Sequence, residues 1–401
     1  MLLIKRHYKL WLKFFANLSF RQISYQRCWI KIFKMAWFLL AWPFELLGDL
    51  LIRLPTIKQL PDNPKILFVK IDQLGDVLFS TFLLPIIKDK YPASQIDYLI
   101  NRRSSAVLQN NPLIHRVYYW QDLVLQNIPG RQRFSLIQGI SRTVYSWLDN
   151  LLCWRQLARQ KYDLIINVRA FWPSSNWPWF WLRSKLVAFD LSQASCLTNY
   201  RADYNLRAEE WQNYLNLLQP LDINLNDLKQ PYFPQHFFNF SPLSQTIESP
   251  YWCLSPVSFD PEKTWSSADW IEFIKYFLVA GPRNRLVLIG LPNHKDWLKP
   301  IMDNFSSQPR VTCFTNLSIP QLAELLKNSQ GLIGIDSFAA HLAIALGRPV
   351  SCLVNSRLFY VSGLSRSSLI DGRSMLPRLP LVIIKDLLTT KPEQLIKAIF
   401  K

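Results

Sequence analysis

Short apolar runs alternating with helix-like segments, in two successive series, constrain this chain more than any other feature. After a polar break at Leu60-Pro-Asp-Asn-Pro64, KILFVKI (Lys65–Ile71) reads as a buried strand. The spacing then predicts a helix near Val77–Lys90 that stops before Pro92. Ile96–Ile100, Arg116–Trp120 and Asp163–Val168 supply further strands. A stretch rich in Pro, Phe, Ser and Gln, from Pro231 to Pro250, shows little periodicity and reads as a linker. Beyond it come strands at Tyr251–Leu254, Arg285–Gly290, Arg310–Phe314, Gly331–Ile335 and Pro349–Val354. Helices are predicted near Ala268–Ala280, Pro320–Asn328 and Phe338–Leu346. Thr390-Lys-Pro-Glu393 has capping-box spacing and opens a terminal helix to Phe400. Such alternation is the pattern of an α/β protein whose parallel sheets are wrapped by helices. Two such halves place the functional site in the cleft between them, near the carboxyl ends of the strands.

The expected organisation is a leader over 1–60, a first α/β half over 61–235, a second over 250–385 and a C-terminal helix over 386–401. The leader is the most unusual part. The chain carries 46 Lys and Arg against 28 Asp and Glu, a net charge of +18, which calls for an anionic partner. Residues 1–44 hold eight of those cations and no acid, interleaved with Trp11, Phe14, Phe15, Trp29 and Phe33. The apolar stretch Met35–Leu47 is only 13 residues long, short of the ~20 needed to cross a bilayer. No signal-peptide cleavage pattern follows. A basic, aromatic helix lying in an anionic membrane interface is one reading, and an amphipathic helix packed on its own protein is the other. A second aromatic cluster, Phe171–Trp181, contains two prolines that rule out an ordinary helix. A membrane-dipping loop, an acceptor-lipid groove and a capped internal core all remain open for it. Nucleic acid is disfavoured as partner, since no binding module is recognisable and nearly half of the charge excess lies within residues 1–60. The six cysteines are widely spaced and none forms a C-x-x-C pair, so neither a disulfide scaffold nor a zinc site is supported and the chain reads as reduced and cytosolic.

Three segments carry candidate chemistry. Lys70-Ile-Asp72-Gln-Leu-Gly75-Asp76 follows a strand and opens a helix. Gly75 permits a tight turn, and Asp76 then projects from the top of the sheet, as a general base for a hydroxyl or simply as a helix N-cap. In the second segment, a strand ending at Ile335 runs into Asp336-Ser337, a capping pair, and then into an Ala- and Leu-rich helix stopped by Gly347 and Pro349. The amides at that helix start suit a phosphate. His341, one turn beyond Ser337, faces the same way, as a ligand or as a core histidine. The third segment, Ser255–Ser266, holds Ser258 and Lys263 in a loop after the first strand of the second half. These two suit a diphosphate, and an exposed surface lysine is the plainer alternative. No Asp-x-Asp occurs, so the usual metal clamp on a nucleotide diphosphate has no candidate here. Fixed amides and Lys263 are left to offset the leaving-group charge.

In this order the segments resemble the heptosyltransferase-type glycosyltransferases of family 9, which act in lipopolysaccharide assembly. The resemblance rests on KILFVKIDQLGDVLFSTFLLPIIKDKYP, on YDLIINVR (Tyr162–Arg169), on the Lys263-Thr-Trp265 loop and on IDSFAAHLAIALGRPV (Ile335–Val350), and spans roughly residues 65–355. It implies a GT-B fold, two Rossmann-like α/β domains facing a cleft, with the acceptor in the first and a nucleotide-diphosphate sugar in the second. It further implies metal-independent, inverting transfer with no cofactor. By matching position, Asp76 would deprotonate the acceptor hydroxyl, and Lys263 and Ser258, with the amides after Asp336, would hold the donor diphosphate. Asp336 would contact the donor sugar, and His341 would take the family's histidine position. Two positions depart from the pattern, Phe338 where Gly is usual and Ser266 where Pro is usual. With the leader, the resemblance points to an enzyme peripheral on the cytoplasmic face of the inner membrane, acting on a lipid-linked or cell-envelope glycan. The alternative is a membrane-associated scaffold that keeps the fold without donor binding.

Overall fold

The computed structural model describes residues 40–121, 136–170, 176–225, 233–258, 263–354, 382–386 and 390–399, apart from positions 41, 53, 58, 206, 207, 209, 235, 236 and 282. Two six-stranded, all-parallel sheets dominate it. The first contains β1 (Lys65–Lys70), β2 (Gln95–Ile100), β3 (Arg116–Tyr119), β4 (Leu164–Asn167), β5 (Lys185–Phe189) and β6 (Tyr200–Ala202), in the order β3-β2-β1-β4-β5-β6. The second contains β7 (Trp252–Ser255), β8 (Leu286–Ile289), β9 (Val311–Phe314), β10 (Leu332–Ile335), β11 (Val350–Val354) and β12 (Val382–Asp386), in the order β12-β11-β10-β7-β8-β9. Read from β9, the second order repeats the first, so each sheet has the Rossmann strand order with one switch point, β1/β4 in the first and β7/β10 in the second.

The central strands β1, β4, β7 and β10 are buried on both faces, as their largely apolar sequences require. In β1, Leu67 and Val69 enter a cluster with Leu157, Ile165 and Trp179, while Ile66 and Phe68 face the other way. That second face belongs to a cluster shared with the second lobe, reaching Leu332, Ala339 and Leu342. The two inner sheet faces thus form one continuous apolar seam. The outer face of the second sheet has its own core around Trp270, Phe273, Leu288 and Ile333.

Helices α1 (Leu74–Ser80) and α2 (Leu83–Lys90) replace the single helix predicted near Val77–Lys90. The break has a local cause. Pro85 has no N–H to offer the Thr81 carbonyl four residues back, and the Ser80 and Thr81 hydroxyls instead donate to the carbonyls of Val77 and Leu78 at 2.7 Å. Next come α3 (Leu136–Gln160), α4 (Glu210–Asn216), α5 (Ser267–Ala280), α6 (Lys295–Asn304), α7 (Ile319–Asn328), α8 (Phe338–Ala345) and α9 (Pro392–Ile399). Ser266 and Asp269 form a capping box that starts α5, which gives the residue after Trp265 a structural task. Helix α9 packs on the second lobe, with Leu395 fully buried in that core.

Residues 1–39, most of the leader, lie outside the described residues, as do Phe171–Ser175 of the aromatic cluster. The helix over 42–51 docks on the first lobe: the Glu45 carboxylate accepts the Ala194 N–H, and Arg201 donates to Asp49 at 2.7 Å. In the remainder of the cluster, Asn176 is fully buried and bonds Asn167 and Ser192, Trp179 sits in the core, and Trp181 is 61% exposed. Pro178 is tolerated because it falls in the first turn of a one-turn helix, Trp177–Phe180. The cluster is therefore part core and part surface. All five described cysteines are free, and four of them are buried.

Candidate functional site

Every predicted site residue follows a strand at one of the two switch points. Gly75 and Asp76 follow β1, Ser258 and Lys263 follow β7, and Asp336, Ser337 and His341 follow β10. The sheets bring these loops together because α1 packs directly on α8 across the seam. At Gly75 a Cβ would lie 2.5 Å from Cδ2 of His341, so only glycine allows this approach. The His341 ring, 3% exposed, also meets the Phe79 ring edge-on at 6.2 Å.

Three predicted residues join in one network. Lys263 Nζ donates to Asp336 Oδ2 at 3.0 Å, and His341 Nε2 lies 3.6 Å from Asp336 Oδ1. Asp336 is buried, and burial pushes its carboxyl up; His341 and Lys263 outweigh that effect and hold its pKa below the ordinary carboxylate value. Lys263 is one-quarter exposed, so it is not the free surface lysine of the plainer reading. His341 is as buried as a core histidine would be, yet it sits beside a carboxylate that a lysine also holds. Ser258 is half-buried on the same loop as Lys263. Ser337 starts α8, but its side chain makes no cap bond; its hydroxyl instead pairs with that of Ser255 at 3.3 Å. The expected capping role of this pair is thus not fulfilled by Ser337, which is drawn sideways to β7. That closeness depends on Gly334, where a Cβ would lie 2.3 Å from the Ser255 carbonyl oxygen.

Asp76 stands across the seam from this network. It is not the N-cap of α1: Gln73 holds that position, and Asp76 lies in the first turn. Burial, the largest influence on it, raises its carboxyl to about 6. Lys70 and His341 pull in the opposite direction, while Asp72 and Glu210 push with burial. A carboxyl with that value is still mostly ionised at neutral pH, yet basic enough to take a proton, as a general base requires.

The groups around Asp76 were not among the predicted site residues. Lys70, buried at the end of β1, pairs with Asp72 at 2.9 Å, donates to the Val168 carbonyl at 3.3 Å and lies 5.1 Å above the Tyr214 ring. Arg169 Nε lies 3.3 Å from the other Asp72 oxygen. Burial pushes Asp72 up, but Lys70 and Arg169 prevail and lower it; Lys70 is raised by its acidic neighbours against burial. A signal was available for two of them. A lysine ending an otherwise apolar strand, and an arginine just past the neighbouring strand, both stand at the carboxyl edge where ligands bind. Glu210 and Tyr214 gave none, because α4 itself had no periodic signature. Among the described residues, no three His, Cys, Asp or Glu side chains gather as a metal site would require.

A small cavity lies on the seam, lined by Leu78 of α1, Val107, Phe237, Ala323, Phe338 and Leu342. Phe338, the departure from the family pattern, thus packs between the lobes.

The model of glycosyltransferase family 9 (heptosyltransferase) matches residues 151–354, just over half of the chain. Lipopolysaccharide heptosyltransferase 3 of Escherichia coli is 22% identical over 302 residues, which span 70% of this chain and 80% of that protein. Among solved structures, E. coli heptosyltransferase WaaC with ADP-2-deoxy-2-fluoro heptose superposes with a TM-score of 0.62 at 16% identity, covering 84% of this chain and 99% of that one. A family 9 glycosyltransferase from Veillonella parvula gives 0.56 at 18% identity, covering 84% and 89%. At such identities the superpositions speak for the fold, two Rossmann-like lobes in the GT-B arrangement, and the sequence match speaks for the family. The chain belongs to glycosyltransferase family 9 and is a glycosyltransferase.

Proposed function

We propose that this glycosyltransferase moves a sugar, with heptose the first candidate, from a nucleotide-diphosphate donor to a hydroxyl of a lipid-linked cell-envelope glycan, by single displacement and without a metal. The observation that carries the reading is the pairing of unlike chemistry across one seam: a carboxyl raised to about 6 on the first lobe, and a Lys263–Asp336–His341 network on the second. Asp76 takes the proton of the acceptor hydroxyl as that oxygen attacks the anomeric carbon. The bond from that carbon to the donor phosphate breaks, and the nucleoside diphosphate leaves with the electron pair. An attack from the face opposite the leaving group inverts the anomeric centre.

Lys263 and Ser258, with the first amides of α8, take up the diphosphate and the charge that develops on it. A diphosphate competes with Asp336 for Lys263, because it offers more negative charge than one carboxylate. Asp336 then faces the sugar hydroxyls, where a carboxylate is a good acceptor, and His341 holds it in place from the side of Gly75. Lys70 and Arg169 both pair with Asp72, and Lys70 and Asp72 set part of the field at Asp76. The lipopolysaccharide heptosyltransferase relative supports heptose as the sugar and a lipopolysaccharide precursor as the acceptor. Such an acceptor would place the enzyme at the cytoplasmic face of the inner membrane.

Calorimetric titration with a panel of ADP- and UDP-sugars tests the donor half of this reading. Saturable binding of one nucleotide class is expected, with no requirement for a divalent ion. Failure to bind any of them would favour the non-catalytic scaffold.

A further inference from the structure

Two helices of the first lobe turn apolar faces to solvent. On the helix over 42–51, Glu45, Gly48, Asp49 and Ile52 face the protein: Glu45 and Asp49 are bonded there, Gly48 abuts Cys196, and Ile52 joins the small core of Ala194, Cys196 and Leu197. The opposite face presents Leu40, Phe44, Leu47 and Leu51, between 52% and 74% exposed, and carries no charge. On α3, Asn150, Cys153 and Leu157 point inward, while Trp147, Leu148, Leu151 and Leu152 are each more than half exposed. Helical spacing puts Arg155 and Arg159, both exposed, on that same outward face.

Helix α3 is bonded to the turn Trp177–Phe180, and that turn shares a small core with Ile52, just past the first helix. Trp154 Nε1 of α3 donates to the Pro178 carbonyl at 2.9 Å, and Phe180 packs on the core that holds Ile52. Trp181, the next residue, is 61% exposed and stacks edge-on with Phe180 of that turn. An apolar area of this extent marks a contact with something, since scattered exposed residues do not line up on two neighbouring helices.

The charge identifies the occupant. Residues 1–39 lead into the first helix with eight Lys or Arg and no acid, and α3 adds two arginines beside its tryptophan and leucines. Aromatic and aliphatic side chains on the same face as cations is the composition of a helix seated at the level of lipid headgroups. Among the described residues, no helix is long and apolar enough to cross a membrane. We propose that the outward faces of the 42–51 helix and α3, together with Trp181, form a surface that seats the first lobe on an anionic bilayer, with both helices lying along the headgroups. This rests on the reading of a lipid-linked acceptor, and it gives that reading a geometry: the lobe bearing Asp76 is the one held at the membrane.

The test is sedimentation of the full-length protein with vesicles of phosphatidylglycerol and phosphatidylcholine, or of phosphatidylcholine alone. Two double variants probe the two faces, Phe44→Glu with Leu51→Glu, and Trp147→Glu with Leu151→Glu. Each pair is expected to weaken binding to the anionic vesicles by about tenfold or more, with the melting temperature and nucleotide affinity unchanged. The proposal is overturned if both double variants bind as the wild type does, which would assign binding to residues 1–39 alone. It is equally overturned if either pair lowers the melting temperature by more than ~10 °C without vesicles, which would mean that the leader or a second copy already covers the face. Vesicle binding that depends on both faces, in a protein that binds no nucleotide sugar, would uphold the surface and sink the transfer reading.

Discussion

Replacing Gly75 by Ala tests whether the two lobes are held together where the structure has them touch. The new methyl would lie 2.5 Å from Cδ2 and 3.1 Å from Cγ of His341, well inside the ordinary carbon–carbon distance of about 3.5–4 Å. The imidazole cannot swing aside cheaply, since it is 3% exposed between the Phe79 ring and the Asp336 carboxylate. A shift of about 1 Å is therefore forced on α8 or on the seam. Overpacking of this kind costs about 1–3 kcal/mol, while alanine returns up to ~1 kcal/mol of helix propensity, so the net loss of stability is about 1–2 kcal/mol. The effect on catalysis is larger, because a misplacement of about 1 Å between reacting groups costs on the order of a hundredfold in kcat/KM. Nucleoside diphosphate release measured with a soluble acceptor, alongside thermal melting, reads both quantities. The added change His341→Ala opens space for the methyl, so the two substitutions should be non-additive by at least ~0.5 kcal/mol in stability. A Gly75→Ala enzyme with wild-type kcat/KM and a raised melting temperature would refute the reasoning, since helix propensity alone would then decide the outcome.

Further expectations follow from the electrostatics. With Asp76 raised to about 6, kcat/KM should fall tenfold per pH unit below that value, as the carboxylate is lost from the free enzyme. Asp72→Asn removes a negative charge that raises Asp76 and should move that acid limb to lower pH; an unmoved limb would detach the two groups. The sign for stability is the reverse of the usual carboxylate. A pKa raised from 3.8 to about 6 means the folded state holds the proton more tightly, so Asp76 favours folding at low pH and loses up to about 3 kcal/mol as pH rises through that window. Lys263→Ala should weaken nucleotide-sugar binding by about ten- to a hundredfold in a calorimetric titration, the worth of a charge-assisted hydrogen bond. It should also lower the melting temperature, because it leaves the buried Asp336 carboxylate with one partner fewer.

What could be read from the chain divides along physical lines. β1, β4 and β10 were legible because both their faces are buried and their residues are continuously apolar. β5 and β6 were not, since they follow an aromatic and proline-rich stretch that masks any boundary. Helix α3 was missed: its outward face mixes Trp147, Leu148, Leu151 and Leu152 with Arg155 and Arg159, so it does not read as a polar face. That Gly75, Asp76, Lys263, Asp336 and His341 stand just after strands was legible, while the roles proposed for them came only with the family resemblance. The meeting of His341 with Gly75 was not legible, because the two lie 266 positions apart in the chain and touch only through the packing of α1 on α8. The ion pairs of Lys70, Asp72 and Arg169 likewise depend on the adjacency of β1 and β4, which no local pattern encodes.

The central claim is that one carboxylate, Asp76, accepts the proton in the transfer step. Asp76→Asn keeps the shape and removes the base, and it also removes a charge that burial disfavours. Measured at pH 8 with the cognate donor and a soluble form of the acceptor, it should lower kcat by 10²- to 10⁴-fold, leave the donor Kd within about twofold and leave the melting temperature equal or higher. Transfer by the variant at near the wild-type rate would contradict the account.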